Sequence, residues 1–266
     1  MKKSSPPSTD IYQRPSSAAE GFAQFIQGAK LAFPIVIGYI PIAISYGVIA
    51  LESGLSLFHT VAMSVFIYAG ASQFMAVNML GLGAGALELI FATFVLNLRH
   101  FVMSLFLMHR LRHLPQRWRG ILSYGITDES FAVASFKTES GEKDGSENND
   151  YGFQGKDHLS SYMFLGLFLT AYLAWIGGTL LGGLFYMFIP PAIGASMAIA
   201  LYAMFIGLLI PAIRRSLSAG VIAVISAIFC TLFTVGLELP SGWGIVLATL
   251  MASLAGIVLF RGKEGQ

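Results

Sequence analysis

The feature that most restricts this chain is a recurrence of apolar runs, most of them long enough to cross a hydrocarbon core of about 30 Å as a helix. They lie at 32–51, 57–80, 84–108, 121–136, 160–189, 192–212, 216–235 and 243–260. Hydrocarbon offers no water to backbone amides and carbonyls, so a spanning segment must satisfy them within a helix or a closed barrel. Barrel strands read as about ten residues of strict alternation, and no such run is visible. The expected fold class is therefore an all-α polytopic membrane protein with six to eight apolar helical segments. Composition agrees: of 266 residues 55% are hydrophobic, and 16 basic and 14 acidic side chains are too few for a soluble domain of this size. The near-balanced charge gives no support to a nucleic-acid partner. The single cysteine, Cys230, has no partner within the chain, which argues against a disulfide framework and a thiolate metal site. Neither a metal nor a cofactor is expected.

Residues 1–30 are expected to form a cytoplasmic tail, disordered through KKSSPPSTDIYQRPSS, with AAEGFAQFIQGAK as a short amphipathic lead-in helix or a linker. The apolar stretch comes too late for a cleaved signal peptide. Residues 31–262 then make one integral membrane domain, and 263–266 a second cytoplasmic tail. The interior piece 137–158 carries three lysines against six acids and reads as a hydrophilic acidic loop. Basic residues cluster at Lys2, Lys3, Arg14 and Lys30, at Arg110, Arg112, Arg117 and Arg119, at Arg214 and Arg215, and at Arg261 and Lys263. Short cytoplasmic loops collect such residues. Eight full crossings would put the four-arginine loop outside. If 57–80 and 121–136 are instead re-entrant, every basic cluster and both termini are cytoplasmic, with six crossings; if one of the two is re-entrant, seven.

Those two segments also hold unusual polarity. In YAGASQFMAVN, Gly70, Ala71 and Ser72 permit close backbone approach while Gln73 and Asn78 offer donors and acceptors, for helix packing or for a ligand. In GITDESFA, Asp128 and Glu129 point about 100° apart on a helix. Acids at membrane depth face cavities, pair with cations or mark substrate and proton paths; alternatively, Thr127 and Asp128 cap a helix at the water boundary. The stretch TFVLNLRHFVMS brings Asn97, Arg99 and His100 close together, with Asn97 and His100 on one helix face. Glu88 lies about 16 Å from Arg99 along a helix and cannot pair with it there. Arg99 either snorkels to the interface or meets Asp128 or Glu129 across two helices. In GYIPIAISYG, Gly38, Pro41 and Gly47 can bend a span and expose carbonyls, and Pro190 with Pro191 ends one segment and starts the next. Gly177, Gly178, Gly182 and Gly183 suit tight helix contacts. His109 and His113 are spaced for a metal but lack a third ligand, so surface histidines are the better reading.

The strings YAGASQF, NLRH and TDESFA, in this order and across apolar segments, resemble the AzlC family, the large subunit of bacterial branched-chain amino acid exporters associated with azaleucine resistance. The likeness covers roughly residues 20–260, and the acidic insert at 137–158 is longer than the family implies. The resemblance implies a transport domain in the bacterial inner membrane, a small hydrophobic AzlD-type partner subunit and export of valine, leucine, isoleucine or related amino acids. A zwitterion in transit needs a cationic or helix-end partner, an acceptor for its ammonium group and an apolar space. Gln73, Asn97, Arg99, His100, Asp128 and Glu129 are the expected substrate or proton-coupling path, and Gly38, Pro41, Gly70 and Ser72 the packing and close-approach positions. No GxxxxGK[ST] phosphate loop occurs, so the chain is expected to be a transporter rather than an enzyme. A permease served by a separate ATPase, an intramembrane enzyme and a membrane assembly protein are the alternatives.

Overall fold

The computed structural model describes residues 17–111, 114–143, 160–188 and 216–260, with isolated positions between 199 and 214. Ten α-helices and no strand occur among them. In chain order they are α1 (Ala18–Leu31), α2 (Phe33–Glu52), α3 (Leu57–Phe66), α4 (Gly70–Gly81), α5 (Ala86–Arg110), α6 (Gln116–Tyr124), α7 (Asp128–Lys143), α8 (Ser161–Phe185), α9 (Leu217–Thr231) and α10 (Ser241–Phe260). A 3-10 turn, Tyr186–Phe188, extends α8, and a π turn, Leu232–Gly236, extends α9. Five stretches are long and apolar enough to cross a membrane: Phe33–Glu52, Ala86–His109, Ser161–Phe188, Leu217–Gly236 and Gly242–Phe260. They coincide with five of the expected segments. Most of the segment 192–212 and the pair Pro190–Pro191 lie outside the described residues, as do residues 1–16 and 261–266.

Both doubtful segments are broken helices, and neither yields a candidate span. The segment 57–80 divides into α3 and α4 at Ile67, Tyr68 and Ala69, where Tyr68 takes a φ of 46°. A side chain other than glycine's costs about 1–2 kcal/mol in that region, so the break is imposed by its surroundings. The segment 121–136 divides between α6 and α7 at Gly125–Thr127. Residues 137–143, expected as the start of the acidic loop, instead extend α7 to Lys143; the rest of that loop, from 144, lies outside the described residues. The lead-in stretch is a helix. Ser17 caps α1 by accepting from the Glu20 amide at 3.2 Å, and Glu20 in the first turn and Lys30 in the last complement the helix dipole.

The chain divides into two compact units, residues 1–39 with 100–174 and residues 40–99 with 175–266. In the first, glycines let helices meet backbone to backbone: a Cβ on Gly28 of α1 would overlap the Met163 carbonyl, and one on Gly166 of α8 the Phe25 carbonyl. Leu107, Leu111, Leu122, Ile126, Met163 and Phe164 fill its interior. In the second, Gly47 of α2 abuts the Thr179 carbonyl, and Gly178 and Gly182 of α8 abut the Ile40 and Ile44 carbonyls. Of the four expected glycines, Gly178 and Gly182 thus meet backbone and Gly183 meets the Leu57 side chain, whereas a Cβ on Gly177 would meet nothing within 4 Å. Pro41 lies inside α2, where it removes one amide donor. Its own carbonyl accepts from Ser45 Oγ at 2.9 Å. Near the second unit's C-terminal helix, Met79, Ala92 and Val246 form a buried cluster.

Candidate functional site

In the second unit the polar centre is Gln73, fully buried on α4. Its Nε2 donates to Ser64 Oγ of α3 at 3.0 Å, and its Oε1 accepts from Trp175 Nε1 of α8 at 3.0 Å. Ser64 Oγ shares a 2.8 Å hydrogen bond with Thr179 Oγ1, which lies within 2.9 Å of the Trp175 carbonyl. Tyr46 of α2 stacks on Trp175 with ring centroids 6.2 Å apart and meets Phe74 edge-on at 5.5 Å. This network holds α3, α4 and α8 around the Ile67–Ala69 break. Gly70 opens α4 beneath the Trp175 indole, 2.7 Å from where its Cβ would be. Ser72 Oγ donates to the Ala69 carbonyl at 2.9 Å and steadies the same turn. Gly38 differs: a Cβ there would meet nothing within 4 Å, so no close approach explains it.

In the first unit the TDES stretch forms a second polar junction. Thr127 precedes α7 and acts as its cap: its Oγ1 accepts from the Ser130 amide at 3.3 Å, while its own amide donates to Ser130 Oγ at 2.8 Å. This reciprocal pair is a capping box with serine at the third helical position. The helix-start reading of Thr127 and Asp128 is therefore the local structure. The capping side chain is the threonine's. Tyr39 of α2, 5% exposed, lies with its hydroxyl 2.6 Å from Thr127 Oγ1 and 2.7 Å from Glu129 Oε2. His100 Nδ1 lies 3.0 Å from the Ile126 carbonyl at the break. A Cβ on Gly125 would lie only 2.5 Å from the Phe168 Cβ. Tyr39, Thr127, Glu129 and His100 thus converge on the α6–α7 break.

The remaining expected residues are placed as follows. Asn97 is half-buried on α5, and its Oδ1 is covered without a hydrogen-bond donor. Arg99 is half-buried on α5 in the second unit, and Asp128 and Glu129 are half-buried in the first. Residues the sequence reading did not single out include Tyr39, Ser64, Trp175 and Thr179. A tryptophan inside an apolar span was the available signal, since a buried indole N–H needs an acceptor. Glu88, too far along α5 to reach Arg99, has a different partner. It is 9% exposed, and its Oε1 accepts from the Gly242 amide at 2.6 Å, in the first turn of α10. A carboxylate at a helix N-terminus is favoured by the free amides and the dipole.

Long apolar helices interrupted at two buried polar junctions define a multi-pass helical membrane protein. The AzlC protein family model matches residues 34–189. The chain belongs to the AzlC family. It is 30% identical to the inner membrane protein YgaZ of Escherichia coli over 84% of this chain and 88% of the relative. It is 32% identical to an uncharacterized membrane protein of Archaeoglobus fulgidus over 76% of this chain and 84% of the relative. Its identity to the branched-chain amino acid transport protein AzlC of Bacillus subtilis is 28%, over 62% of this chain and 58% of that protein. No solved structure matches the chain.

Proposed function

We propose that this chain exports branched-chain or related small hydrophobic amino acids across the inner membrane, as the large subunit of a two-component secondary transporter. The observation that carries the reading is its similarity to a relative named a branched-chain amino acid transport protein. Two broken helices with polar side chains at their breaks support it, because interrupted helices offer unpaired amides and carbonyls to a zwitterion inside an otherwise apolar bundle. Gln73, Asn97, Arg99, His100, Asp128 and Glu129 are proposed as the substrate or proton path, and Tyr39 joins them through its contact with Glu129. The partner is a small hydrophobic AzlD-type subunit, and the driving force a proton gradient. Reconstituting the chain with and without such a subunit and following labelled valine, leucine, isoleucine and methionine under imposed proton gradients tests the reading. Gradient-driven flux confined to the pair is expected. Flux that requires ATP and a further subunit would replace it with the ATPase-served permease, and product formation without net flux with an enzyme.

A further inference from the structure

At the α6–α7 break a carboxyl group and three hydroxyls stand in line. Glu129 Oε2 lies 2.7 Å from the Tyr39 hydroxyl, that hydroxyl 2.6 Å from Thr127 Oγ1, and Thr127 Oγ1 3.1 Å from Ser130 Oγ. The line ends on backbone, where Ser130 Oγ donates to the Gly125 carbonyl at 3.0 Å and accepts from the Thr127 amide at 2.8 Å. Glu129 is half-buried, whereas Tyr39, Thr127 and Ser130 are buried. A proton therefore enters the line at the acid.

Each hydroxyl has one hydrogen to give, and a carbonyl can only accept, so the Ser130 hydrogen is committed to Gly125. With Glu129 ionised, Tyr39 donates to the carboxylate and Thr127 donates to Tyr39. With Glu129 protonated, the carboxyl O–H donates to Tyr39, Tyr39 donates to Thr127 Oγ1, and Thr127 donates to Ser130 Oγ. The oxygens stand within hydrogen-bond reach for both patterns. One proton added at the acid thus reverses two hydrogen bonds and adds a donation to the serine that holds the Gly125 carbonyl. His100 on α5 behaves differently: its Nδ1 lies 3.0 Å from the Ile126 carbonyl, so that nitrogen carries hydrogen in both charge states of the ring and the bond does not register protonation. The other titratable groups at this break are Asp128 on α7 and, on α6 and α8, Tyr124 with its ring partner Tyr172.

We propose that Glu129 is the residue that takes up and releases the coupling proton, and that Tyr39 and Thr127 pass its charge state to the backbone of the α6–α7 break. The test of the relay uses the full chain in lipid bilayers and infrared difference spectra taken across a pH titration. Subtracting E129Q from wild type isolates the carbonyl stretch of protonated Glu129. In Y39F that band should move to higher frequency, because the carboxyl has lost the oxygen to which it donates; an unmoved band would overturn the relay. Should E129Q fail to insert, the wild-type minus Y39F difference carries the same test, since those chains differ by the hydroxyl beside Glu129. The coupling role rests on the transport reading above and has its own assay, with the chain and a small partner subunit reconstituted together. E129Q should lose most gradient-driven valine export while keeping valine counterflow in the absence of a gradient. Loss of both would make Glu129 part of the substrate site or of the fold, and retention of both would put the proton elsewhere; either overturns the proposal. A wild-type pair that moves no valine would overturn the transport reading instead, with the infrared band still deciding the relay.

Discussion

Gln73 spends its amide on both sides: the nitrogen reaches Ser64 and the oxygen receives Trp175. Replacing it with leucine strands a buried indole N–H, and a stranded donor costs about 1–3 kcal/mol. Q73L should therefore lower the thermal midpoint of the purified protein clearly, while Q73E, which keeps an acceptor for Trp175, should lower it less; equal losses would mean that the Trp175 bond contributes little. Tyr39 supports a second residue-scale prediction. Y39F removes the hydroxyl beside Thr127 and Glu129 but keeps the ring, so membrane insertion should stay normal while valine export falls severalfold. Unchanged export would assign the tyrosine to helix capping alone. Arg99 separates two outcomes in the same assays. If it pairs with Asp128 or Glu129, R99A should reduce both export and inserted protein, and R99K should rescue poorly, because an ammonium does not reproduce the guanidinium fork; wild-type values for R99A would leave a snorkelling residue. The sequence displayed Gln73, Arg99 and the two acids because a polar residue stands out in an apolar run. It concealed Tyr39, Ser64 and Thr179, whose types are common in such runs and each of which has a partner 88 to 115 positions away.

Elements here are held together where side chains are smallest. Gly28 and Gly166 bring α1 against α8, and Gly47, Gly178 and Gly182 bring α2 against α8 within the second unit. Without a water-driven hydrophobic force between helices in lipid, dispersion at close range carries much of such association. G182L places a side chain against the Ile44 carbonyl, which cannot yield as a flexible side chain would. Properly inserted protein should drop steeply in membrane fractions, whereas G177L, at an open position, should insert normally. The glycine pairs of IGGTLLGGLF announced a contact face, but not that Gly177 alone of the four would lie open. Helix breaks were legible for a different reason: 57–80 and 121–136 interrupted their apolar runs with small, polar and acidic residues. Where the acidic stretch after 136 began was less legible, since α7 continues to Lys143 on the strength of a start already capped by Thr127.

Across the whole molecule, the described spans agree with the apolar runs because length and hydropathy are properties of composition, whereas sidedness depends on arginines whose loops meet solvent. The six-crossing arrangement remains a proposal and makes a labelling prediction: single cysteines at Gly54 and Ser241 should react with an impermeant maleimide from outside, and those at Arg117 and Ser146 should not. Labelling at 117 from outside would reject it. Glu88 adds a consequence in time. It completes its shell with an amide 154 positions further along the chain, and ribosomes add about 5–20 residues per second. For on the order of ten seconds, a newly made α5 therefore carries an acid whose native cap has not been synthesised. During that interval the nascent chain must keep Glu88 hydrated or sheltered by the insertion machinery. A ribosome stalled before Ser241 would leave a bundle apolar enough to remain in the bilayer yet marked by one uncapped carboxylate, the kind of defect by which a membrane protease could tell an unfinished chain from a finished one.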